Sequence, residues 1–189
     1  MVKVGVLALQ GGVREHVDML ESLGAEVTLM RRAAEIEGLD GIVIPGGESS
    51  TIDRLLCIFS LDDALRTALR NGTPVLGTCA GLITLATEIV DPAPEQRSLG
   101  IIPMRVRRNA FGRQIDSAVE VIDSAYGQVK AAYIRAPEVL AVGEGVSVIA
   151  TKGERIVGVE KDNALAVSFH PELTGDTTIH ARFLEKVRG

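Results

Sequence analysis

Three apolar runs in the first half of the chain each stop at a glycine-bearing turn. Residues 2–9 (VKVGVLAL) end in Gln10-Gly11-Gly12, residues 41–44 (GIVI) end in Pro45-Gly46-Gly47, and residues 74–78 (PVLGT) run into Cys79-Ala80-Gly81. Runs this short and this uniformly apolar fit strands buried on both faces. Stretches of helical spacing lie between them. Val13, Val17, Leu20 and Leu23 recur at near-helical intervals, and Gly24 supplies a stop. Leu61, Ala64, Leu65, Ala68 and Leu69 mark one face of a second helix, closed by Asn71-Gly72. Residues 26–30 read as a further strand and residues 81–87 as a further helix. Strand and helix alternating at this interval predict an α/β fold: a doubly wound, mostly parallel sheet flanked by helices, joined by right-handed crossovers.

After a polar loop with two prolines at 91–98, the pattern changes. Residues 101–102, 119–122, 131–134, 146–150, 156–159 and 164–169 read as strands with little helix between them. They predict a mixed or antiparallel extension in the second half. A last helix carries Ile179, Phe183, Leu184 and Val187 on one side. No repeat, low-complexity tract or long linker divides the chain, so residues 1–189 are expected to form a single domain. Hydrophobic residues make up 46% of it and aromatics only 3%, which leaves Val, Ile, Leu and Ala to fill the core.

The formal charge of -5, with no block of basic residues, argues against a nucleic-acid partner. Two cysteines outside any CxxC pattern give no disulfide framework and fit a reducing compartment. No apolar stretch reaches membrane-spanning length, and Met1-Val2-Lys3 lacks a signal-peptide layout, so a cytoplasmic protein without a membrane partner is expected.

Gly77-Thr78-Cys79-Ala80-Gly81 is a G-x-nucleophile-x-G pattern with cysteine in the nucleophile position. A sharp strand-to-helix turn would push Cys79 out at the sheet's carboxyl edge, where side chains two positions away would collide. The N-terminus of the following helix favours an anion there, and thiolate is the attacking species. Taken alone, the pentapeptide fits a buried structural cysteine between two turn glycines equally well. Cys57, among Leu55, Leu56, Ile58 and Phe59 with no glycine turn, reads as a core thiol.

Ser168-Phe169-His170-Pro171-Glu172 follows an apolar run. In extended backbone, residues i and i+2 point the same way, about 7 Å apart at their Cα atoms. Glu172 could therefore hold one imidazole nitrogen of His170 while the other faces outward, giving a base and its orienter from one segment. The chain has only three histidines. His16 reads as a helix-surface or turn residue, and His180 as solvent-facing on the last helix. Pro45-Gly46-Gly47-Glu48 is either an ordinary turn or a close backbone approach to a ligand. In the second case the N–H groups of Gly47 and Ala80 could form an oxyanion hole. The 45–48 segment is also the best phosphate-loop candidate, but the missing Gly-Lys-Ser/Thr ending argues against one.

These residues resemble the triad-type (class I) glutamine amidotransferases, whose fold is flavodoxin-like. Leu9-Gln10-Gly11, Gly46-Gly47-Glu48-Ser49, residues 108–114 (RNAFGRQ), Ile134-Arg135-Ala136-Pro137 and residues 168–173 (SFHPEL) narrow the resemblance to the glutaminase-subunit family of pyridoxal 5'-phosphate synthase. The match runs from the first strand to the last helix and keeps the order of five motifs. Ser50, where the family often has Thr, and Ala118, where an aromatic is common, depart from it. The resemblance implies Cys79 as nucleophile, His170 as acid/base and Glu172 as its orienter. It implies Gly46, Gly47, Glu48, Arg108, Ile134 and Arg135 as the L-glutamine pocket. Glu48 would suit the substrate ammonium, and one of the two arginines its carboxylate. Gln10 and Gly11 are expected beside the site and towards the partner. It implies no metal and no bound organic cofactor. The implied partner is a separate (β/α)8 synthase subunit in a hetero-oligomer, which receives the ammonia. Three alternatives remain at this point: an amidotransferase subunit of another pathway, a flavodoxin-like cysteine hydrolase or redox-stress protein acting alone, and a non-catalytic binding or regulatory module.

Overall fold

The computed structural model describes residues 1–111 and 118–189, so the Gly112-Arg113-Gln114 end of the 108–114 motif lies outside the described residues. Helix α1 (Val13–Ser22) joins strands β1 (Lys3–Leu7) and β2 (Glu26–Met30), a 3-10 turn (Ala33–Ile36) leads on to β3 (Gly41–Ile44), and helices α2 (Ser49–Ile58) and α3 (Asp62–Arg70) join β3 to β4 (Val75–Thr78). Cys79 alone stands between β4 and α4 (Ala80–Leu85). The second half adds β5 (Ala86–Val90), β6 (Ile102–Arg107), β7 (Ala118–Ser124), β8 (Gly127–Tyr133) and β9 (Glu138–Val142). It then runs through β10 (Ser147–Lys152), β11 (Arg155–Lys161) and β12 (Ala164–Val167) to α5 (Thr178–Arg188).

The strand order β2-β1-β3-β4-β12 is parallel throughout. The sheet continues through β11, β10, β7 and β8 with antiparallel pairs, while β9, β6 and β5 branch from β11. The α/β class and the mixed extension are both as expected. Three elements were not read from the sequence: α2, β5 and β9. The helix expected over 81–87 ends at Leu85, because Ala86 turns extended (φ -66°, ψ 154°) and starts β5 against β6.

Side-chain alternation along the parallel strands sorts the core into two layers. Leu7, Ile42, Ile44, Val75 and Ala166 face one layer, with Ile52 and Leu56 of α2, Leu65 of α3 and Leu82 of α4. Val4, Val6, Val43, Leu76, Leu165 and Val167 face the other, with Leu20 of α1 and Ile179 and Phe183 of α5. No described helix is long and apolar enough to cross a membrane.

Phe183 is fully buried, and it sits so close to Gly41 that a Cβ there would lie 2.9 Å from its Cζ. Phe183→Ala should therefore cost about 3–5 kcal/mol of stability. Urea unfolding would show this as a lower midpoint at unchanged m-value.

Candidate active site

Four of the parallel strands finish at the same edge of the sheet. Gln10-Gly11 follow β1, Gly46-Gly47 follow β3, Cys79 follows β4, and Phe169-His170 follow β12. Open α/β sheets bind ligands outside this edge, where the strand ends leave a crevice.

Cys79 occupies the left-handed region (φ 49°, ψ -104°). Such a backbone costs a non-glycine residue on the order of 1–3 kcal/mol and persists only where its surroundings over-determine it. Here they do. The Cys79 N–H donates to the Val167 carbonyl at 2.8 Å, tying the turn to β12. A Cβ on Gly81 would lie 2.1 Å from the Ile44 carbonyl oxygen, and one on Gly77 would lie 2.7 Å from the Gly81 carbonyl carbon. Only glycines allow β3, β4 and α4 to meet this closely.

His170 is anchored by its N–H, which donates to the Ala132 carbonyl at 2.8 Å. Its Nδ1 donates to Glu172 Oε1 at 2.7 Å, and its ring faces the Cys79 side chain, both crowding the point where a Cβ on Gly46 would stand. The backbone reaches this arrangement differently from the extended segment expected. Pro171–Leu173 form a 3-10 turn, with proline at its start where no N–H is needed, and the turn folds Glu172 under the imidazole. Gly46 closes the other side of the ring, for a Cβ there would lie 2.3 Å from His170 Cε1.

A cavity of about 610 Å³ opens over these groups. Cys79, Ala80, His170, Glu172, Gly46, Gly47, Glu48, Arg108, Ile134 and Arg135 all line it, with Gln10 and Gly11 at one wall. The Cys79 sulfur lies 3.9 Å from the Ile134 carbonyl. Asn109 (φ 48°) and Arg135 (φ 47°) add two more left-handed non-glycine residues to the wall. The Glu48 carboxylate caps α2, accepting from the Thr51 N–H at 2.8 Å, the Thr51 hydroxyl at 3.0 Å and the Ser50 hydroxyl. Its Oε1 also meets Arg108 Nη2 at 2.9 Å. Arg108 is steadied in turn by Gln96 Oε1 at 2.8 Å.

A profile of the SNO glutamine amidotransferase family matches residues 6–189. The chain belongs to that family. It is 51% identical to the pyridoxal 5'-phosphate synthase subunit PdxT of Nocardia farcinica, over 98% of this chain and 85% of the relative. It is 52% identical to the subunit of the same name from Streptomyces griseus, over 98% and 95%. A solved glutamine amidotransferase superposes with a TM-score of 0.93 at 45% identity, covering 98% of this chain and 99% of the other. A putative GMP synthase subunit from Thermoplasma acidophilum, at TM-score 0.72 and 17% identity over 100% and 94%, shares the fold.

Three readings of single residues are corrected in this amidotransferase. His16 is fully buried, not on the surface of α1, because its buried face carries His16, Met19 and Leu20 at positions i, i+3 and i+4. His180 is also fully buried, on the α5 face that holds Ile179, Phe183 and Leu184. Cys57 is only half-buried and is no core thiol. The inward face of α2 is Ser49, Ile52 and Leu56, so position 57 turns sideways toward Asp53 and the Arg97 guanidinium. Gln96, which fixes Arg108, escaped notice because it sits in a polar loop with no periodic pattern to mark it.

The two buried histidines lie behind Glu172 and Thr78. His16 Nδ1 is 2.8 Å from His180 Nε2, while His16 Nε2 is 3.1 Å from Thr78 Oγ1 and 3.5 Å from Glu172 Oε1. Burial holds the His16 imidazole well below its ordinary pKa, and neighbouring His180 and His170 push it the same way. Burial likewise pushes His180 down to about 4, against a weak opposing pull from Asp176. His170 goes the other way. Burial works to lower it, but the hydrogen bonds to Cys79 and Glu172 outweigh this and raise it to about 10. Burial alone would raise Glu48, yet the bonds from Ser50 and Thr51 hold it below the usual carboxylate range.

The folded pKa of His180, about 4, lies below its ordinary 6.5. Between those values the unfolded chain binds the extra proton, so stability rises with pH. This contribution is whole above about pH 6.5 and is lost as pH falls towards 4, a span of roughly 3 kcal/mol. His180→Phe should flatten the fall of unfolding free energy over that window by a similar amount. Urea titrations at pH 7, 5.5 and 4 would measure it.

Proposed function

We propose that this amidotransferase is the glutaminase subunit of a pyridoxal 5'-phosphate synthase. In this reading it hydrolyses L-glutamine and passes the ammonia to a partner synthase subunit. The observation that carries the reading is the convergence of Cys79, His170 and Glu172 at the carboxyl edge of four parallel strands, inside one cavity. The identity of about half of all positions to subunits of that name, over nearly the full chain, supports the pathway. We treat residues 1–189 as one domain, since the sheet links elements from β1 to β12. The two free cysteines are compatible with a cytoplasmic setting.

In the proposed reaction His170 is charged at neutral pH, with Nδ1–H on Glu172 and Nε2–H facing the sulfur of Cys79. Thiolate attacks the side-chain amide carbon of glutamine, and the carbonyl π electrons move to oxygen. N–H groups of Gly47 and Ala80 would receive that oxyanion. His170 gives its Nε2 proton to the leaving amine, the C–N bond breaks, and ammonia departs from a glutamyl thioester. Water then loses a proton to His170 Nε2 and attacks the thioester carbon. Glutamate leaves, and the imidazolium–thiolate pair is restored. Glu48, Arg108 and Arg135 would recognise the two charges of the free amino acid. Ile134 would line the pocket beside them. In this reading the partner, a (β/α)8 barrel in a hetero-oligomer, carries out the acceptor chemistry.

The test is a glutaminase assay with and without the purified barrel subunit. One glutamate should appear per ammonia. Cys79→Ala and His170→Asn should each lose at least about a thousandfold in kcat. Cys57→Ala should keep the wild-type rate. Absence of glutamine turnover by the wild-type protein in both arms would overturn the reading.

A further inference from the structure

The buried pair His16–His180 needs an explanation that packing does not supply. Both imidazoles sit in the layer formed by α1, α5 and the strands, among Leu20, Ile179, Phe183 and Leu184. Polar groups taken from water into such a layer stabilise a fold only when fully paired. This pair is not. Among the described residues, His180 Nδ1 and Glu172 Oε2 are both buried without a hydrogen-bond partner. Apolar side chains of the same volume would satisfy packing without that cost.

What the pair does have is position. His16 stands behind the triad and touches two of its supports: Thr78, the residue before the nucleophile, and Glu172, the residue that holds His170. The partners fix the tautomers. If His16 carried its proton on Nδ1, its Nε2 lone pair would face the Glu172 carboxylate, and His180 would be left with a buried, unpaired Nδ1–H. With the proton on Nε2, His16 presents an N–H to Thr78 Oγ1 and to the carboxylate. His180 Nε2–H then donates to His16 Nδ1, leaving only a weak acceptor unpaired. Its 3.5 Å distance to Glu172 makes the His16 contact an electrostatic support, with the full hydrogen bond going to Thr78.

We propose that His16 is a positioning residue for the Cys79–His170–Glu172 site, its Nε2–H locking Thr78 and the Glu172 carboxylate in place, with His180 fixing the tautomer of His16. The role in glutamine turnover rests on the function proposed above; the effect on Cys79 itself does not. The groups facing His16 are His180 from α5, Thr78 from β4, and Glu172 and His170 from the turn after β12. His16 touches neither sulfur nor cavity, so it acts only through these neighbours.

The test exploits side-chain reach. Glutamine at position 16 can place an N–H where His16 Nε2 stands, whereas asparagine stops near Nδ1. In a Cys57→Ala background, with Cys79 the only thiol, the rate of Cys79 alkylation by iodoacetamide at pH 7 needs no substrate. His16→Asn should slow it about tenfold and His16→Gln less than about threefold, at similar melting temperatures. In the glutaminase assay with the synthase subunit, His16→Asn should lower kcat about tenfold at nearly unchanged KM, and His16→Gln should recover most of it. Equal behaviour of the two variants, whether both slow or both like wild type, overturns the proposal. If position 16 tolerates neither, the same comparison moves one step out. His180→Phe should slow alkylation and His180→Gln should not, and equality there overturns it too. A wild-type protein that alkylates as described but leaves glutamine intact would sink the functional reading and spare the positioning one.

Discussion

The close meeting of backbones around Cys79 is the constraint on which the site depends. One turn must leave β4, reverse into α4 and still lie against both neighbouring strands. The Val167 carbonyl of β12 takes the Cys79 N–H, and the Ile44 carbonyl of β3 stands where any Cβ on Gly81 would be. These contacts force the cysteine into a backbone conformation that L-residues avoid, and they hold it there because both strands are buried in the sheet. A looser turn would relieve the strain and let the sulfur drop away from the imidazole. Strain and alignment are thus consequences of the same packing.

The features legible in the sequence were those written locally. The elbow could be read because glycines two residues either side of a cysteine have a steric meaning, and His-Pro-Glu because two residues suffice to bring a carboxylate to an imidazole. Less local features were lost. Helix α2 begins Ser49-Ser50-Thr51 and gathers its apolar residues (Ile52, Leu55, Leu56 and Ile58) after these, so its start is marked by the Glu48 cap, a contact visible only once folded. Aliphatic periodicity alone leaves His16 and His180 off the buried faces of their helices. Each stands three or four positions from buried residues of its own helix, and counting histidine as a core candidate would have placed both inside. Gln96 has no such pattern, and only its contact with Arg108 gives it a place in the site.

The charge states of the three histidines form one arrangement. His170 holds its proton to about pH 10 because a carboxylate and the cysteine face its two sides. That positive charge is one of the influences keeping His16 neutral, along with burial and His180. A second charged imidazole beside Glu172 would compete with His170 for the carboxylate and weaken the bond that directs Nδ1. Keeping His16 neutral leaves the carboxylate with one ionic partner and one dipolar one, a hierarchy set by the surroundings of otherwise identical side chains.

In the proposed substrate pocket, Glu48 and Arg108 already satisfy each other across the cavity wall. A zwitterionic amino acid entering there would exchange an internal ion pair for two external ones. Glu48 Oε2 stays occupied by Ser50 and Thr51, so the carboxylate need not move to offer Oε1, and Gln96 holds the guanidinium from behind. Both charged groups are therefore held by partners other than each other. Each side chain also retains some exposure, 47% for Glu48 and 18% for Arg108, so parting them costs little Coulomb energy. A pair that is fixed in space yet weakly bound to itself suits the recognition of a small zwitterion. Affinity then comes from pre-set positions, with little charge to desolvate anew.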